Sequence, residues 1–374
     1  MARRKLRVGV LFGGRSAEHE VSLVSAASVM SNLDRRKYEV VPIGIAKNGQ
    51  WLVGARSLNL LKSGQTKIPP GLRAIVAPEP QERGLTPLTT AGSAQKLDVV
   101  FPVLHGTFGE DGTVQGLLEL ASIPYVGAGV LGSALGMDKI AQKLVFNSQG
   151  LPTPEFVYST ATDWQNNQAG FIRTCHKIGL PLFVKPANLG SSVGISKVHT
   201  WRELRPAVKY AFRYDRRVIV ERGIVKALEI ECSVLGNDKP RASVPGQIIS
   251  SNEFYDYDAK YVDGKSEAVI PAPLPKVVVR KVMDLSVRAF KALDLAGMAR
   301  VDFLVQPSGW HVYLNEVNTI PGFTSISMYP KLWQASGLPY PKLLDELVRL
   351  AIERGHARAR LQTSYRPKQA WYRS

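Results

Sequence analysis

The stretch MARVDFLVQPSGWHVYLNEVN, residues 298–318, contains two runs rich in Val, Leu, Phe, Tyr and Trp that are separated by the tetrapeptide QPSG. Pro, Ser and Gly favour turns and the flanking residues favour strands, so this pattern predicts a β-hairpin. Side chains alternate between the faces of a strand, so a turn centred near the glycine places Arg300 opposite Asn318 and Asp302 opposite Glu316. These four polar side chains should share one face. The other face should carry Val301, Val305, Tyr313 and Val317.

Two carboxylates that lie directly opposite each other on neighbouring strands repel. The hairpin can tolerate Asp302 opposite Glu316 if that face is solvated, or if a cation lies between the two groups. Oxygen atoms from Asp, Glu and Asn, with no Cys or His nearby, are suited to Mg²⁺. For the hairpin taken alone, an ordinary exposed polar face is the simpler interpretation, and the remaining motifs must decide between the two.

The composition predicts a soluble globular protein of two or three domains, since the chain has 374 residues, of which 45% are hydrophobic and 21% charged. No apolar run approaches the roughly 18 residues that cross a bilayer, and Val8–Phe12 is too short for a signal peptide. We therefore expect a cytoplasmic protein without a membrane partner. Cys175 and Cys232 lie far apart and outside any CxxC spacing, which predicts buried free thiols.

A formal charge of +17 raises the hypothesis of nucleic-acid binding. Much of this excess lies at the chain ends, in Arg3, Arg4, Lys5, Arg7, Arg354, Arg358, Arg360, Arg366, Lys368 and Arg373. No RNP1 sequence or set of paired zinc ligands accompanies the charge, so we expect no nucleic-acid partner. Residues 355–374 should form a solvated basic tail, and the smaller interior excess suits a phosphate-bearing small molecule.

Two strand ends in the first third of the chain carry candidate site residues. A strand pattern at 6–12 leads through a Gly-Gly turn into a helical pattern at 17–33, a layout that directs backbone N–H groups at an anion. Glu18 beside this turn could reach into a site or could merely favour the helix dipole. The buried-strand pattern at 97–104 ends in His105, where open α/β sheets bind ligands. A single His is more often structural, but a glycine-rich turn follows this one.

Phosphate-binding chemistry is indicated in the middle of the chain. Lys139 lies near the start of a predicted helix at 137–149, although a lysine there could simply be solvated. Lys185 lies in a strand pattern at 182–186, and the small residues of the following loop, NLGSSVG at 188–194, allow close backbone approach to a phosphate. The spacing is not that of a Walker A loop.

The other segments are predicted in outline. Residues 54–94 are poorly patterned and should form loops and edge structure. The Tyr-rich segment 252–268 could be a lid over a site or could pack on the surface. Helices are predicted at 277–293 and at 340–354.

Taken together, these motifs resemble those of the D-alanine–D-alanine ligases of the ATP-grasp superfamily. The matching pieces, in the family's order, are FGGRSAEHEVSL, HGTFGEDGTVQG, MDKIAQK, VKPANLGSSVGISKV, EFYDYDAKY, ARVDF and NEVNTIPGFTSIS. The resemblance implies an α/β, three-domain ATP-grasp architecture with ATP held between the second and third domains. Its parts would be an N-terminal Rossmann-like parallel sheet at 1–136, a central subdomain at 137–224, a catalytic domain at 225–354 with a lid loop at 250–270, and the basic tail at 355–374.

The resemblance also implies roles for individual residues. ATP would be held by Lys139, Lys185, Ser191, Ser192, Glu221, Ile224, Glu229 and Lys260. Two Mg²⁺ or Mn²⁺ ions would be held by Asp302, Glu316 and Asn318. Two D-alanine molecules would be bound by Glu18, His105, Arg300 and Ser327. Arg300 and the Gly322 backbone would stabilise a tetrahedral intermediate, and hydrogen bonds among Tyr261, Ser191 and Glu18 would close the lid. The implied function is ATP-dependent synthesis of D-alanyl-D-alanine through an acylphosphate, for peptidoglycan precursors, by a homodimer.

Two alternatives remain open. The first is another ligase of the same family, which would make a D-Ala–D-Ser or D-Ala–D-lactate product. Tyr261 within YDAKY favours an amine nucleophile, because lactate-using relatives lack that pattern, whereas Ile326 stands where some members have His. The second is a nucleic-acid-binding or regulatory protein built on an ATP-grasp body, and the intact metal, lysine and lid motifs argue against it.

Overall fold

The computed structural model describes residues 4–64, 69–88, 95–190, 193–249 and 267–365. The α-helices are α1 His19–Asn32, α2 Ser57–Lys62, α3 Thr113–Leu120, α4 Val130–Met137, α5 Lys139–Ser148, α6 Ala161–Asn166, α7 Gln168–Ile178, α8 Trp201–Ala211, α9 Lys276–Ala292, α10 Met328–Ala335 and α11 Tyr340–Ala359. The strands are β1 Leu6–Gly13, β2 Tyr38–Ile45, β3 Trp51–Val53, β4 Ala74–Val76, β5 Gly84–Pro87, β6 Gln95–Lys96, β7 Val99–Val103, β8 Phe156–Thr160, β9 Leu182–Pro186, β10 Ser196–Val198, β11 Arg217–Arg222, β12 Leu228–Gly236, β13 Arg241–Ala242, β14 Gly246–Ile249, β15 Glu267–Val269, β16 Gly297–Gln306 and β17 His311–Asn318.

The first sheet has the strand order β3-β2-β1-β7, and β1 pairs in parallel with both β2 and β7. Its apolar strands are buried on both faces, as parallel sheets generally are. Helices α1 and α11 cover one face. Helix α3 and a small antiparallel sheet, β4-β5-β6, contribute to the core on the other. The predicted parallel sheet is confirmed. The described parts of the segment 54–94 contribute more buried structure than their weak pattern indicated.

The second sheet is antiparallel, with the order β10-β9-β11-β8. One face packs on α6, α7 and α8 through a core that includes Trp164, Cys175 and Val208. The other face carries Lys185, whose strand has the predicted bounds Leu182–Pro186. Cys175 and Cys232 are both buried free thiols, as predicted.

The third sheet has the order β15-β14-β12-β16-β17, with β13 paired at one end of β12. Its β16–β17 hairpin pairs Arg300 with Asn318 and Asp302 with Glu316, which confirms the predicted register. A β-bulge follows Asp302, after which Phe303 pairs with Leu314.

The bulge makes one prediction for the hairpin wrong. The extra residue reverses the alternation of faces in β17, so Val312 and Leu314 are buried in the core and Tyr313 is only half-buried. Tyr313 pairs with Leu304 on the polar face instead of sharing a face with Val301. Helix α9 covers the apolar face of this sheet.

Two helix boundaries also differ from the predicted ones. The predicted helix at 137–149 begins one residue after Asp138, whose carboxylate caps α5 by accepting hydrogen bonds from the N–H groups of Ile140 and Ala141. The last helix runs to Ala359 rather than to 354, and Arg358 there forms an ion pair with Glu119 of α3, with 2.7 Å between Nη1 and Oε1. No helix within the described part of the chain is both long enough and apolar enough to span a bilayer.

Candidate active site

A cavity of about 960 Å³ lies where the three large sheets face one another. Thirteen of the residues that were assigned to a site from the sequence line it. They are Glu18, His105, Lys139, Lys185, Glu221, Ile224, Glu229, Arg300, Asp302, Glu316, Asn318, Gly322 and Ser327. Residues that lie far apart in the sequence are thus brought together by the fold. The other four, Ser191, Ser192, Lys260 and Tyr261, lie outside the described residues, as does most of the predicted lid loop.

Three buried lysines, the buried Glu221 and the partly exposed Glu316 form a charged cluster at one side of the cavity. The Lys185 ammonium donates a hydrogen bond to Glu221 Oε2 at 2.8 Å, and Lys143 Nζ lies 3.4 Å from Glu221 Oε1. Lys139 Nζ donates to the Leu189 carbonyl at 2.8 Å and lies 3.3 Å from Glu316 Oε2. Lys139 is therefore buried against the glycine-rich loop and is not a solvated surface lysine.

The pKa values in this cluster follow from burial and charge pairing. Burial alone would raise the pKa of Glu221, but Lys143 and Lys185 hold it below its ordinary value. Burial opposes the charge on Lys185, yet Glu221 and Glu316 raise the pKa of that ammonium. The side chain of Glu221, which the resemblance assigns to adenosine, thus holds two lysines in place.

Three carboxylates lie side by side across the third sheet, because Glu231 of β12 pairs with Asp302, which pairs with Glu316. The guanidinium of Arg300 lies between the first two, with Nη2 2.6 Å from Asp302 Oδ2 and Nε 3.0 Å from Glu231 Oε2. Although burial acts against its charge, Asp302 and Glu231 raise the pKa of Arg300. Glu231 was not assigned to the site from the sequence; the available signal was its position two residues after Glu229 on one strand face.

The carboxylates of this face are balanced by Arg300 and Lys139, so the face is not simply solvated. Among the described residues, no group of three or more His, Cys, Asp and Glu side chains is arranged to hold a metal ion. The candidate set instead combines the carboxylates of Asp302 and Glu316 with the amide of Asn318, whose Nδ2 donates to Asp302 Oδ2 at 2.9 Å. These hard oxygen donors fit Mg²⁺ or Mn²⁺.

His105 and Glu110 bind the carbonyl and the N–H group of Ile320, an arrangement that we call the Ile320 clamp. His105 Nδ1 lies 3.1 Å from the Ile320 carbonyl oxygen, and the Ile320 N–H donates to Glu110 Oε1 at 3.1 Å. The other Glu110 oxygen accepts from the Gly106 N–H at 2.7 Å. Burial and the nearby Glu18 raise the pKa of Glu110 to about 8. Glu110 was not assigned to the site from the sequence, although it lies in the segment Gly109-Glu110-Asp111 directly after the turn at Gly106.

The loop after β17 is held by further hydrogen bonds next to this clamp. The Phe323 N–H donates to Ser25 Oγ at 3.3 Å, and the Thr324 N–H donates to Ser327 Oγ at 2.9 Å. A Cβ at Gly322 would lie 2.7 Å from Ser327 Oγ, so only glycine allows the backbone to approach that hydroxyl so closely. The loop therefore presents Gly322 and Ser327 to the cavity in a fixed arrangement.

Glu18 lies between the first and second sheets and is buried. It precedes α1, but its side chain makes no capping hydrogen bond to the helix, so capping does not explain its position. A Cβ at Gly190 would lie 2.7 Å from Glu18 Oε2, which shows that the glycine-rich loop approaches this carboxylate closely. The geometry supports the interpretation in which Glu18 belongs to the site.

Comparisons with known proteins show the family of the chain. Family models described as the D-ala D-ala ligase N-terminus and C-terminus match residues 7–128 and 145–349. The chain belongs to the D-alanine–D-alanine ligase family. The resemblance inferred from the motifs is thereby confirmed, and with it the ATP-grasp fold.

Individual ligases match over nearly the whole chain. A D-alanine–D-alanine ligase of Thermoanaerobacter sp. (strain X514) is 53% identical over 95% of this chain and 99% of its own length. The solved D-alanine-D-alanine ligase of Coxiella burnetii is 39% identical with a TM-score of 0.83, covering 96% of this chain and 97% of that one. The VanG D-Ala:D-Ser ligase of Enterococcus faecalis is 37% identical with a TM-score of 0.82, covering 93% and 100%.

The clamp on Ile320 leads to a prediction for the ligase. Glu110→Ala should lower kcat about tenfold, because two backbone N–H groups lose their acceptor and the loop that carries Gly322 shifts. Steady-state kinetics and thermal unfolding of the variant would measure this effect. Glu79→Ala, at an exposed position, is the matched control. Wild-type kcat in Glu110→Ala would show that the loop keeps its position without the clamp.

Proposed function

We propose that this chain uses ATP to join two molecules of D-alanine into D-alanyl-D-alanine, through an acylphosphate and a tetrahedral intermediate, for the synthesis of peptidoglycan precursors. The observation that carries the proposal is the gathering, in one cavity, of thirteen residues that match the motifs of this ligase family. The nearly complete coverage of named D-alanine–D-alanine ligases supports it.

ATP would lie between the second and third sheets, with its phosphates near Lys139 and Lys185 and its adenosine near Ile224 and Glu229. Ser191, Ser192 and Lys260 would complete this nucleotide site. Two Mg²⁺ or Mn²⁺ ions, held by Asp302, Glu316 and Asn318, would neutralise phosphate charge during transfer. The buried lysines would add fixed positive charge where water is scarce and electrostatic interactions are strong.

The two amino acids would bind at the opposite end of the cavity. Glu18 would pair with the ammonium of the first D-alanine, whose carboxylate takes the γ-phosphoryl group and releases ADP. The amine of the second D-alanine, held through its carboxylate by Ser327, would attack this acylphosphate. Arg300 and the Gly322 N–H would stabilise the oxyanion, after which phosphate leaves and the amide bond is complete. His105 would act here through the backbone of Ile320.

The remaining parts of the proposal concern organisation. We propose domains at 1–136, 137–224 and 225–354, with a basic tail at 355–374, and a lid that Tyr261 closes through Ser191 and Glu18. The protein would work in the cytoplasm as a homodimer. Light scattering after size-exclusion chromatography tests the last point, since each chain has a mass of 41.1 kDa. A monomer-sized particle at assay concentrations would contradict the dimer.

The second substrate can be tested directly. ADP release should depend on D-alanine, and mass spectrometry should find D-alanyl-D-alanine as the main product when D-Ala, D-Ser and D-lactate are offered in equal amounts near pH 7. Because the attacking amine must be deprotonated, dipeptide synthesis should increase as the pH rises toward the pKa of the ammonium group.

The likeness to the D-Ala:D-Ser ligase makes D-serine the second candidate. Mostly D-Ala–D-Ser product would favour that alternative. Mostly D-alanyl-D-lactate would contradict the interpretation of Tyr261 and leave the proposed nucleotide site intact. Absence of any D-amino-acid-dependent ADP release would contradict the proposed function.

A further inference from the structure

Lys143 is a fully buried lysine that the proposed reaction does not use. It lies one helical turn after Lys139 on α5, but its side chain is only 1% exposed. Its ammonium finds no hydrogen-bond acceptor among the described residues. It forms an ion pair with Glu221, whose Oε1 lies 3.4 Å from the Lys143 Nζ. A buried ammonium is costly unless an opposite charge compensates it, so the position of Lys143 calls for an explanation.

Glu221 connects Lys143 to the nucleotide site. One of its oxygens faces Lys143, and the other accepts the hydrogen bond from Lys185 at 2.8 Å. Glu221 and Lys185 both line the cavity, and both are largely buried, with 3% and 10% of their side chains exposed. The three groups form a row, Lys143, Glu221 and Lys185, that leads from the protein interior to the cavity and carries two positive charges and one negative charge.

Burial and charge pairing act in opposite directions on the groups of this row. Burial lowers the pKa of Lys143, and Glu221 opposes this effect. Lys143 and Lys185 together hold the pKa of Glu221 below its ordinary value against the effect of burial. The carboxylate is therefore shared between two ammonium groups, and Lys185 alone does not have to neutralise it.

We infer that Lys143 is a positioning residue whose ammonium balances Glu221, so that Lys185 keeps a net positive charge directed at the phosphates of the nucleotide. The inference rests on the proposed function, in which Lys185 binds ATP. Without Lys143, Glu221 and Lys185 would form a neutral pair, and the field that attracts a triphosphate would weaken. The D-alanine end of the cavity is built from other residues and should not be affected.

The test is a comparison of Lys143→Met with Lys143→Arg in the full-length enzyme. Lys143→Met should raise the KM for ATP roughly tenfold and leave the KM for D-alanine within about twofold. Lys143→Arg keeps the charge and should bind ATP within about threefold of the wild type. The stabilisation of each protein against heat by added ATP provides a readout that needs no turnover. Lys209→Met, at an exposed position on α8, is the matched control.

A double-variant cycle tests the electrostatic origin of the effect. In the presence of Glu221→Gln there is no carboxylate to balance, so adding Lys143→Met should change the KM for ATP by no more than about twofold. An unchanged tenfold effect in that background would overturn the inference. So would equal increases in the KM values for ATP and D-alanine, or a Lys143→Arg protein that folds normally but binds ATP as weakly as Lys143→Met.

Lys185→Met separates failure of this inference from failure of the proposed function. If Lys185→Met weakens ATP binding and Lys143→Met does not, the role of Lys143 is wrong and the proposed nucleotide site stands. If neither variant affects ATP binding, Lys185 is not a phosphate ligand and both fail. If both variants weaken it and the cycle shows coupling through Glu221, the inference holds.

Discussion

Replacing Glu316 with Gln is expected to lower kcat for dipeptide synthesis about 10³-fold, with the fold preserved. Glu316 lies directly opposite Asp302 on neighbouring strands, and its carboxylate is 3.3 Å from the Lys139 ammonium. The amide of Gln has nearly the same shape but carries no charge, so a divalent cation would lose one of its two anionic ligands. Steady-state kinetics over a range of Mg²⁺ concentrations measures the loss.

A matched control tests whether the loss of activity depends on the position of the carboxylate. Glu155→Gln makes the same substitution at an exposed position directly before β8 and should leave kcat unchanged. Thermal unfolding of both proteins controls for folding. A Glu316→Gln protein with near-normal turnover at ordinary Mg²⁺ concentrations would contradict the assignment of Glu316 as a metal ligand. Partial rescue at high Mg²⁺ would support it, because a weakened site fills again by mass action.

The polar face of the hairpin could be predicted because it depends on local rules. Strand alternation and a Pro-Ser-Gly turn were sufficient to pair Arg300 with Asn318 and Asp302 with Glu316. The bulge after Asp302 was not predictable, since an extra residue in one strand arises from pairing with the partner strand and not from either sequence run alone. Tyr313 was placed on the wrong face for that reason.

Contacts between residues that lie far apart in the chain also could not be predicted from the sequence. Lys143 and Glu110 both lie in segments that the motifs singled out, but their partners, Glu221 and Ile320, come from other sheets. Periodicity shows which face a side chain takes and says nothing about which buried charge meets it. The motifs thus predicted many of the residues that line the cavity. The residues that hold them in place, such as Lys143 and Glu110, could be identified only in the three-dimensional structure.

Replacing Arg300 with Lys is expected to reduce kcat by about 10²-fold to 10³-fold with little change in the KM for ATP. The guanidinium is held between Asp302 and Glu231 by contacts of 2.6 and 3.0 Å, so its planar fork is fixed before substrate binds. A lysine keeps the charge but cannot reproduce two parallel hydrogen bonds while also reaching an oxyanion. The loss should therefore appear in the transition state rather than in nucleotide binding.

Arg288→Lys makes the same substitution on the exposed side of α9 and should behave like the wild type. ATP-dependent thermal stabilisation should be similar in both variants, because the lysines that we propose as phosphate ligands are unchanged. If Arg300→Lys instead weakens ATP binding and leaves kcat near normal, the guanidinium serves the nucleotide, and the oxyanion must be stabilised by Gly322 without it. Normal values for both constants would mean that Arg300 is retained only to balance Asp302 and Glu231 within the sheet.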